Sequence, residues 1–448
     1  MGISSGNTEA QMKAAFYTLG CKVNQYETEA MAQRLAAQGV TVVPCAQEAD
    51  LYVVNSCTVT AESDRKTRQA VRRFKKLHPD SIVVLTGCMP QAFPQASAAL
   101  NEADIVIGNK SNHVLYDYVL QYLNGSGRIV AIDPHPAQPG ERFEGDTITA
   151  FHARTRAAVK IEDGCNRFCS YCIIPYARGR VRSKPLEALR EELAALNDAG
   201  FCEIVLVGIN LSAYGSDLGC TLADAVRLAA SFPQIRRVRL GSLEPDHITD
   251  DVIAALQAVP EFCPQFHISL QSGCDRTLRR MNRHYDSAAY LALCRKIRAA
   301  FPDAAITTDL MVGFPGETAE DFEISRAFAE TVGFEKIHVF PYSRRAGTPA
   351  AAMPDQVPQA EKARRAAEMS RTAAALRTAA FTRLIGRTVE ILPEEWRDGF
   401  VQGCTANYTP VQLRSDHPLP PALTRVTVTG VAQEVCLGEL TDEEAAGE

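Results

Sequence analysis

The chain has 448 residues, a globular composition and a formal net charge of −6, enough length for two to four domains with ample core. No apolar run approaches the roughly 20 residues that span a bilayer, which excludes a helical membrane protein. The net charge does not mark a general nucleic-acid binder, and 14 cysteines behind a start (MGISSGNTEAQMK) with no apolar leader argue for metal ligands or buried thiols rather than a disulfide scaffold. Met12 is an alternative start, because the first strand follows it directly.

Residues 12–132 alternate strand and helix. The strands AAFYTLG, DLYVVNS and SIVVLTG are separated by the helical stretches QYETEAMAQRLAAQG and AESDRKTRQAVRRFKKLH, a pattern that predicts a parallel sheet. Ligands of such sheets bind outside the carboxyl ends of the strands, and Cys21, Cys57 and Cys88 stand there, one after each strand. Residues 133–150 read as a Pro- and Gly-rich linker.

Residues 151–358 repeat a β/α unit about six times, with strands AAVKI, CEIVLVGI, RRVRLGS, QFHISLQ, AAITTDLMVGF and EKIHVFPY. Six units make an open, incomplete barrel. After the first strand comes the loop Gly164-Cys165-Asn166-Arg167-Phe168-Cys169-Ser170-Tyr171-Cys172. CxxxCxxC puts three thiolates on one tight loop at the edge where barrel active sites are built. Three thiolates on a cubane leave one iron open for chemistry; zinc, the rival, favours four ligands and paired CxxC knuckles, and no second pair is present. The two sets of three cysteines therefore predict two 4Fe-4S clusters.

Residues 359–383 read as a basic connecting helix, residues 384–440 as a small β-barrel of short strands, and residues 1–11 and 441–448 as disordered tails. Local basic stretches at 64–77, 154–184 and 359–383 are candidates for phosphate contact, or else solvated faces. Residues 384–440 hold four Lys/Arg against seven Asp/Glu, so Phe400 and Tyr408 either stack bases there or belong to the barrel core.

The loop and its flanks, GCNRFCSYCIIPYARGRVRS, together with Cys21, Cys57 and Cys88, resemble the radical S-adenosylmethionine (SAM) methylthiotransferase family. SLEP at 242–245, HISLQSGCDRTLRRMNRHY at 267–285, TDLMVGFPGET at 308–318 and FPYSRRAGTPAA at 340–351 extend the likeness. TLGCKVNQYETEAM at 18–31 resembles the branch acting on N6-threonylcarbamoyladenosine in tRNA, in preference to the branches acting on isopentenyladenosine or on an aspartate of a ribosomal protein. The resemblance implies an α/β chain of three parts: an N-terminal parallel α/β methylthiotransferase domain, an incomplete (β/α)6 radical SAM barrel and a C-terminal TRAM barrel of OB-like type that binds RNA.

It further implies that Cys165, Cys169 and Cys172 hold the SAM cluster, and that Cys21, Cys57 and Cys88 hold an auxiliary cluster with the sulfur to be donated. One SAM methylates that sulfur and a second yields a 5′-deoxyadenosyl radical, so that methylthio replaces hydrogen at C2 of the adenine at tRNA position 37. Tyr171, Gly208, Glu244, Ser269, Gln271, Arg283, Asp309 and Gly313 are the candidates for contact with SAM; ordinary packing, turns and surface hydrogen bonding are the alternative for each. The implied partners are tRNA, a flavodoxin- or ferredoxin-like electron donor and the iron–sulfur assembly machinery, in the cytoplasm and without a membrane. The class furthest from this is a non-catalytic iron–sulfur RNA-binding protein.

Overall fold

A computed structural model describes residues 11–441 apart from 137, 139, 145, 146 and 149–154. The disordered tails expected at 1–11 and 441–448 therefore lie almost wholly outside the described residues, as does part of the expected linker. The chain divides into two compact units. The first runs up to Glu141 and also takes in Ile173–Arg180; the second holds Arg142–Cys172 and everything from Val181 onward.

The first unit is built on six strands, β1 (Lys13–Thr18), β2 (Thr41–Val43), β3 (Leu51–Ser56), β4 (Ile82–Gly87), β5 (Ile105–Ile107) and β6 (Ile129–Ala131). They form one sheet in the order β2-β1-β3-β4-β5-β6, parallel throughout. β3 and β4 are buried along their length and apolar up to their carboxyl ends, as strands covered on both faces must be. On one face Leu51, Val53, Ile82 and Val84 pack with Met31 and Leu35 of helix α1 (Lys22–Ala37). On the other, Tyr52, Val54, Val83 and Leu85 pack with Val71 and Phe74 of helix α2 (Ala61–Leu77). α2 starts where the sequence places it because the Thr60 hydroxyl accepts from the Ser63 N–H, a cap that satisfies one of the free donors of the first turn.

The second unit has six parallel strand positions. β7 (Arg156–Lys160), β10 (Glu203–Val207) and β11 (Arg237–Leu240) form one sheet; β12 (Ser242–Leu243), β13 (Gln265–Ile268), β14 (Ala305–Val312) and β15 (Lys336–Pro341) form the next. The third position is one strand broken at Gly241, and a bridge from Val238 to Phe262 carries the order across the break. The expected incomplete barrel is thus present. A short antiparallel pair, β8 (Glu162–Asp163) with β9 (Arg182–Ser183), flanks the cysteine loop.

After the helix Gln359–Thr382, strands β16 (Thr388–Arg397), β17 (Phe400–Thr405), β18 (Pro410–Arg414), β19 (Thr424–Ala432) and β20 (Val435–Leu440) close a barrel around Ile391, Val401, Val411, Val426 and Val428. Ala380 and Phe381 of the preceding helix complete that core.

Candidate functional site: two sets of three thiols

β1, β3 and β4 are neighbours in the sheet, so their carboxyl ends deliver three cysteines to one edge. Cys21 precedes α1, Cys57 directly follows β3, and Cys88 opens the short helix α3 (Cys88–Ala92). A Cβ added at Gly20, where φ is +117°, would stand 2.9 Å from the Cys57 Cβ, so the first two cysteines need glycine between them and the sheet. One polar network ties the three strand ends together. The Cys21 thiol donates to Asn24 Oδ1 at 3.3 Å; Asn24 Nδ2 donates to the Ser56 carbonyl at 3.1 Å; Ser56 Oγ donates to the Thr86 carbonyl at 2.6 Å and accepts from the Met89 N–H at 3.1 Å.

Cys57 and Cys88 are buried while Cys21 is exposed. Burial raises the Cys57 thiol and pushes Cys88 up to about 12, with the neighbouring cysteines adding to both and Arg178 opposing. Such thiols stay protonated when the site is empty and give up their protons to a metal.

The second set lies between β8 and β9. Asp163 braces the start of the loop: its Oδ1 accepts from the Gly164 N–H at 2.8 Å, and its Oδ2 takes Lys160 at 2.6 Å and Arg182 at 3.4 Å. Arg167 forks onto Asp246, just past SLEP. Ser170 bonds to the carbonyls of Met281 and Arg280, at 3.0 and 2.8 Å, and the Cys172 N–H donates to the Cys169 carbonyl at 2.9 Å. Burial raises the Cys165 thiol, and Cys172 and Cys169 raise it further. Three thiols and a loop pinned from both sides suit one corner-open cubane.

The candidates for SAM contact divide. Gln271 is buried with φ +66°, and its Oε1 has no hydrogen-bond partner. Glu244 and Arg283 pair with each other, and Arg283 Nη1 also donates to Cys169 Sγ at 3.2 Å. Ser269 gives its carbonyl to Tyr285 Oη at 2.7 Å and to Arg283 at 3.3 Å. Tyr171 is partly buried, its ring edge-on to Phe314 at 6.4 Å in a cluster with Met281, Met311 and Tyr342. Asp309 is only partly buried, and its partner is a side chain, His267 Nε2 at 3.4 Å. Gly313, with φ +70°, donates its N–H to Glu317 Oε1 at 2.8 Å, and a Cβ there would lie 2.4 Å from Lys362 Cγ. At Gly208 a Cβ would lie 2.6 Å from Glu162 Oε2.

That last contact exposes two residues the sequence reading missed. Glu162 is fully buried; its Oε2 accepts from the Asn210 N–H at 2.7 Å, whereas its Oε1 has no hydrogen-bond partner. Asn210 Oδ1 is likewise buried and unpartnered. Burial holds the Glu162 carboxyl well above the ordinary range, and Asp163 adds to the shift. Unfilled buried acceptors are costly, and the ammonium of an amino-acid-like ligand would fill them. The only trace in the sequence is an acid three residues before the first loop cysteine; that its oxygens lack partners is a property of the packed site.

The expected phosphate-binding surfaces need correction. In 154–184, Arg156 pairs with Glu203 and Glu394, Lys160 and Arg182 with Asp163, Arg167 with Asp246, Arg178 with Glu27 and Lys184 with Glu192. These charges brace the fold. In the 359–383 helix, Lys362 and Arg365 are buried and Arg364 bridges Glu361 and Glu368. By contrast α2 presents exposed Lys66, Arg73 and Lys76. Tyr408 lies under Arg239 and Arg156, at 4.6 and 5.0 Å to its ring centre. Phe400 and Trp396, 42% and 43% exposed, are the exposed aromatics of the small barrel's first hairpin, with Trp396 Nε1 donating to the Ser415 carbonyl at 3.1 Å.

Residues 13–108 match the model described as "Uncharacterized protein family UPF0004", and residues 159–329 match "Radical SAM superfamily". The chain is 38% identical to the threonylcarbamoyladenosine tRNA methylthiotransferase MtaB of Thermotoga maritima, over 84% of this chain and 85% of that protein. It is 36% identical to the protein of the same name from Bacillus subtilis, over 92% and 93%. The tRNA-2-methylthio-N(6)-dimethylallyladenosine synthase of Acetivibrio thermocellus is 33% identical, over 92% and 88%. Among solved structures, the radical SAM methyltransferase TsrM from Kitasatospora setae is similar in fold, with a TM-score of 0.54 at 14% identity over 76% of this chain and 77% of that one.

Proposed function

Because the chain belongs to the radical SAM methylthiotransferase family, we propose that it places a methylthio group on C2 of N6-threonylcarbamoyladenosine in tRNA, next to the anticodon. The observation that supports this reading is the placement of two sets of three cysteines, one at the neighbouring carboxyl ends of β1, β3 and β4 and one on the loop between β8 and β9. Cys165, Cys169 and Cys172 would hold the cluster that works with SAM; Cys21, Cys57 and Cys88 would hold the auxiliary one. Bound there, the clusters and SAM supply the methyl group, the sulfur and the radical chemistry that a C–H bond without an acidic proton requires.

The chain's own residues bind and orient. Asp163, fixed by Lys160 and Arg182, holds the start of the cysteine loop, and Arg167 on Asp246 holds its middle. Glu162 Oε1 and Asn210 Oδ1 offer unfilled acceptors to the SAM ammonium, and Gln271 Oε1 offers a third. Gly208 leaves room for the Glu162 carboxylate. Tyr171, Glu244, Ser269, Arg283, Asp309 and Gly313 complete the proposed SAM surroundings, Arg283 by donating to Cys169 Sγ.

Among the described residues no helix is long and apolar enough to cross a membrane. A cytoplasmic setting, a flavodoxin- or ferredoxin-like electron donor and the iron–sulfur assembly machinery belong to this proposal.

The test is nucleoside mass spectrometry of tRNA incubated anaerobically with reconstituted protein, SAM and reductant. The tRNA should come from cells lacking the activity and carry both hypermodified adenosines. Methylthio on threonylcarbamoyladenosine is the expected result. Methylthio on isopentenyladenosine would keep the chemistry and move the chain to the other branch. Neither product, with both clusters loaded, would overturn the reading.

A further inference from the structure

Arg178 is fully buried, and its side chain does two things at once. Its Nε donates to Cys88 Sγ at 3.2 Å, and its outer nitrogens clasp the carboxylate of Glu27, Nη2 to Oε2 at 3.0 Å. Glu27 is itself buried on α1, six residues after Cys21. The arginine comes from the segment Ile173–Arg180, which belongs to the N-terminal unit although it follows Cys172 in the chain. There the helix Ile174–Arg178 is seated by Asn109, whose Nδ2 donates to the Ala177 carbonyl at 2.8 Å.

A buried arginine needs a carboxylate, and Glu27 supplies one. That need does not account for the Nε–H aimed at sulfur. A hydrogen bond to a ligating sulfur, and a positive charge beside it, favour the more negative, reduced form of a cluster. We propose that Arg178 is a positioning residue that sets the reduction potential of the auxiliary cluster through Cys88, with Glu27 as the counter-charge that limits its effect. The inference rests on the reading of Cys21, Cys57 and Cys88 as cluster ligands.

The two partners then have opposite signs. Removing Arg178 withdraws a donor and leaves Glu27, so the potential falls. Removing the charge of Glu27 takes this counter-charge away from the guanidinium beside Cys88, so the potential rises. A purely structural pair gives no such opposition.

The experiment uses the full-length C165A/C169A/C172A protein, reconstituted so that only the auxiliary site can load, with R178Q, R178K and E27Q added separately. The readouts are iron content and an EPR-monitored reductive titration. The expected result is a full cluster's iron in each, a lower midpoint for R178Q, a smaller drop for R178K and a higher midpoint for E27Q. If R178Q does not load, R178K and E27Q still carry the sign. Midpoints that stay put, or that move in the same direction for the arginine and glutamate variants, overturn the proposal while leaving the auxiliary cluster in place. A parent protein that holds no iron overturns the ligand reading instead.

Discussion

The guanidinium carbon of Arg239 lies 4.6 Å from the centre of the Tyr408 ring while its Nε donates to Glu203 at 3.0 Å. Its other nitrogens donate to the carbonyls of Ala406 and Thr405, at 2.9 and 3.3 Å. Arg156 covers the same ring, and Arg237 reaches the Cys404 carbonyl at 3.1 Å and Glu390. Arg156, Glu203 and Arg237 each open a strand of the open barrel, so the small barrel is fastened to its amino-terminal end. This is the end whose residues serve stability rather than catalysis.

Arg239→Ala should therefore destabilise the second unit by about 3–5 kcal/mol, the cost of leaving the fully buried Glu203 without its closest partner. Tyr408→Ala, which removes the ring beneath both arginines, should cost about 1 kcal/mol. Chemical denaturation of the iron-free chain measures both. An Arg239→Ala protein as stable as its parent would mean the fastening lies elsewhere.

Much of this architecture was legible in the sequence because apolar runs and turn residues report strands directly. The three strands before Cys21, Cys57 and Cys88 and the six of the open barrel lie where their patterns place them. The short β2, β5 and β6 were not anticipated, since three-residue strands carry too little periodicity. The charge runs misled for a different reason. Arg178 and Arg182 look in sequence like any surface cation, and only packing against Glu27 and Asp163, distant in the chain, puts them inside.

Glu162 yields a prediction with opposite signs for stability and binding. Its folded pKa lies above its unfolded value, so the folded chain holds an extra proton and loses stability as pH rises from the unfolded pKa through the folded one. Glu162→Gln should flatten that slope in the iron-free protein and leave it at least as stable at neutral pH. The same change should weaken SAM binding to the loaded protein by about 10- to 100-fold, as loss of a charged acceptor does. Isothermal titration with SAM and thermal unfolding across pH 4–8 separate the two; unchanged SAM affinity would remove Glu162 from the site.

Asp321 supplies an acid-side dependence. Burial opposes its charge, but Arg276, the backbone and hydroxyl of Thr318 and the Cys274 thiol win, holding the carboxyl at about 2 against 3.8. A depressed carboxylate contributes stability above its unfolded pKa and loses it as pH falls through the folded one. Asp321→Asn should cost about 1 kcal/mol at pH 7, because solvent around the exposed Arg276 screens the pair, and the difference from the parent should shrink as pH falls from about 4 toward 2. A gap that is constant over that window would mean the capping hydrogen bonds, not the charge, do the stabilising.

For tRNA binding, the exposed aromatics and the exposed cations of α2 make different predictions. Replacing Trp396 or Phe400 with alanine should weaken binding by about 1–3 kcal/mol for each base lost from stacking and leave the salt dependence intact. Replacing Lys66, Arg73 and Lys76 together should flatten the dependence of log affinity on log salt. Filter binding over a salt series distinguishes them. If the α2 triple variant binds with an unaltered slope, the phosphate contacts lie elsewhere.

The N-terminal unit is not finished when its sheet is. A ribosome has made all three strand-end cysteines by residue 88 and the last strand by Ala131, yet Ile173–Arg180 comes later, after the whole CxxxCxxC loop. Until then Glu27 has no arginine to meet and Cys88 has no donor. Synthesis itself thus imposes an order: both sets of thiols exist as chain before the first can be closed. A fragment cut at the linker would capture the moment before closure, not the finished unit.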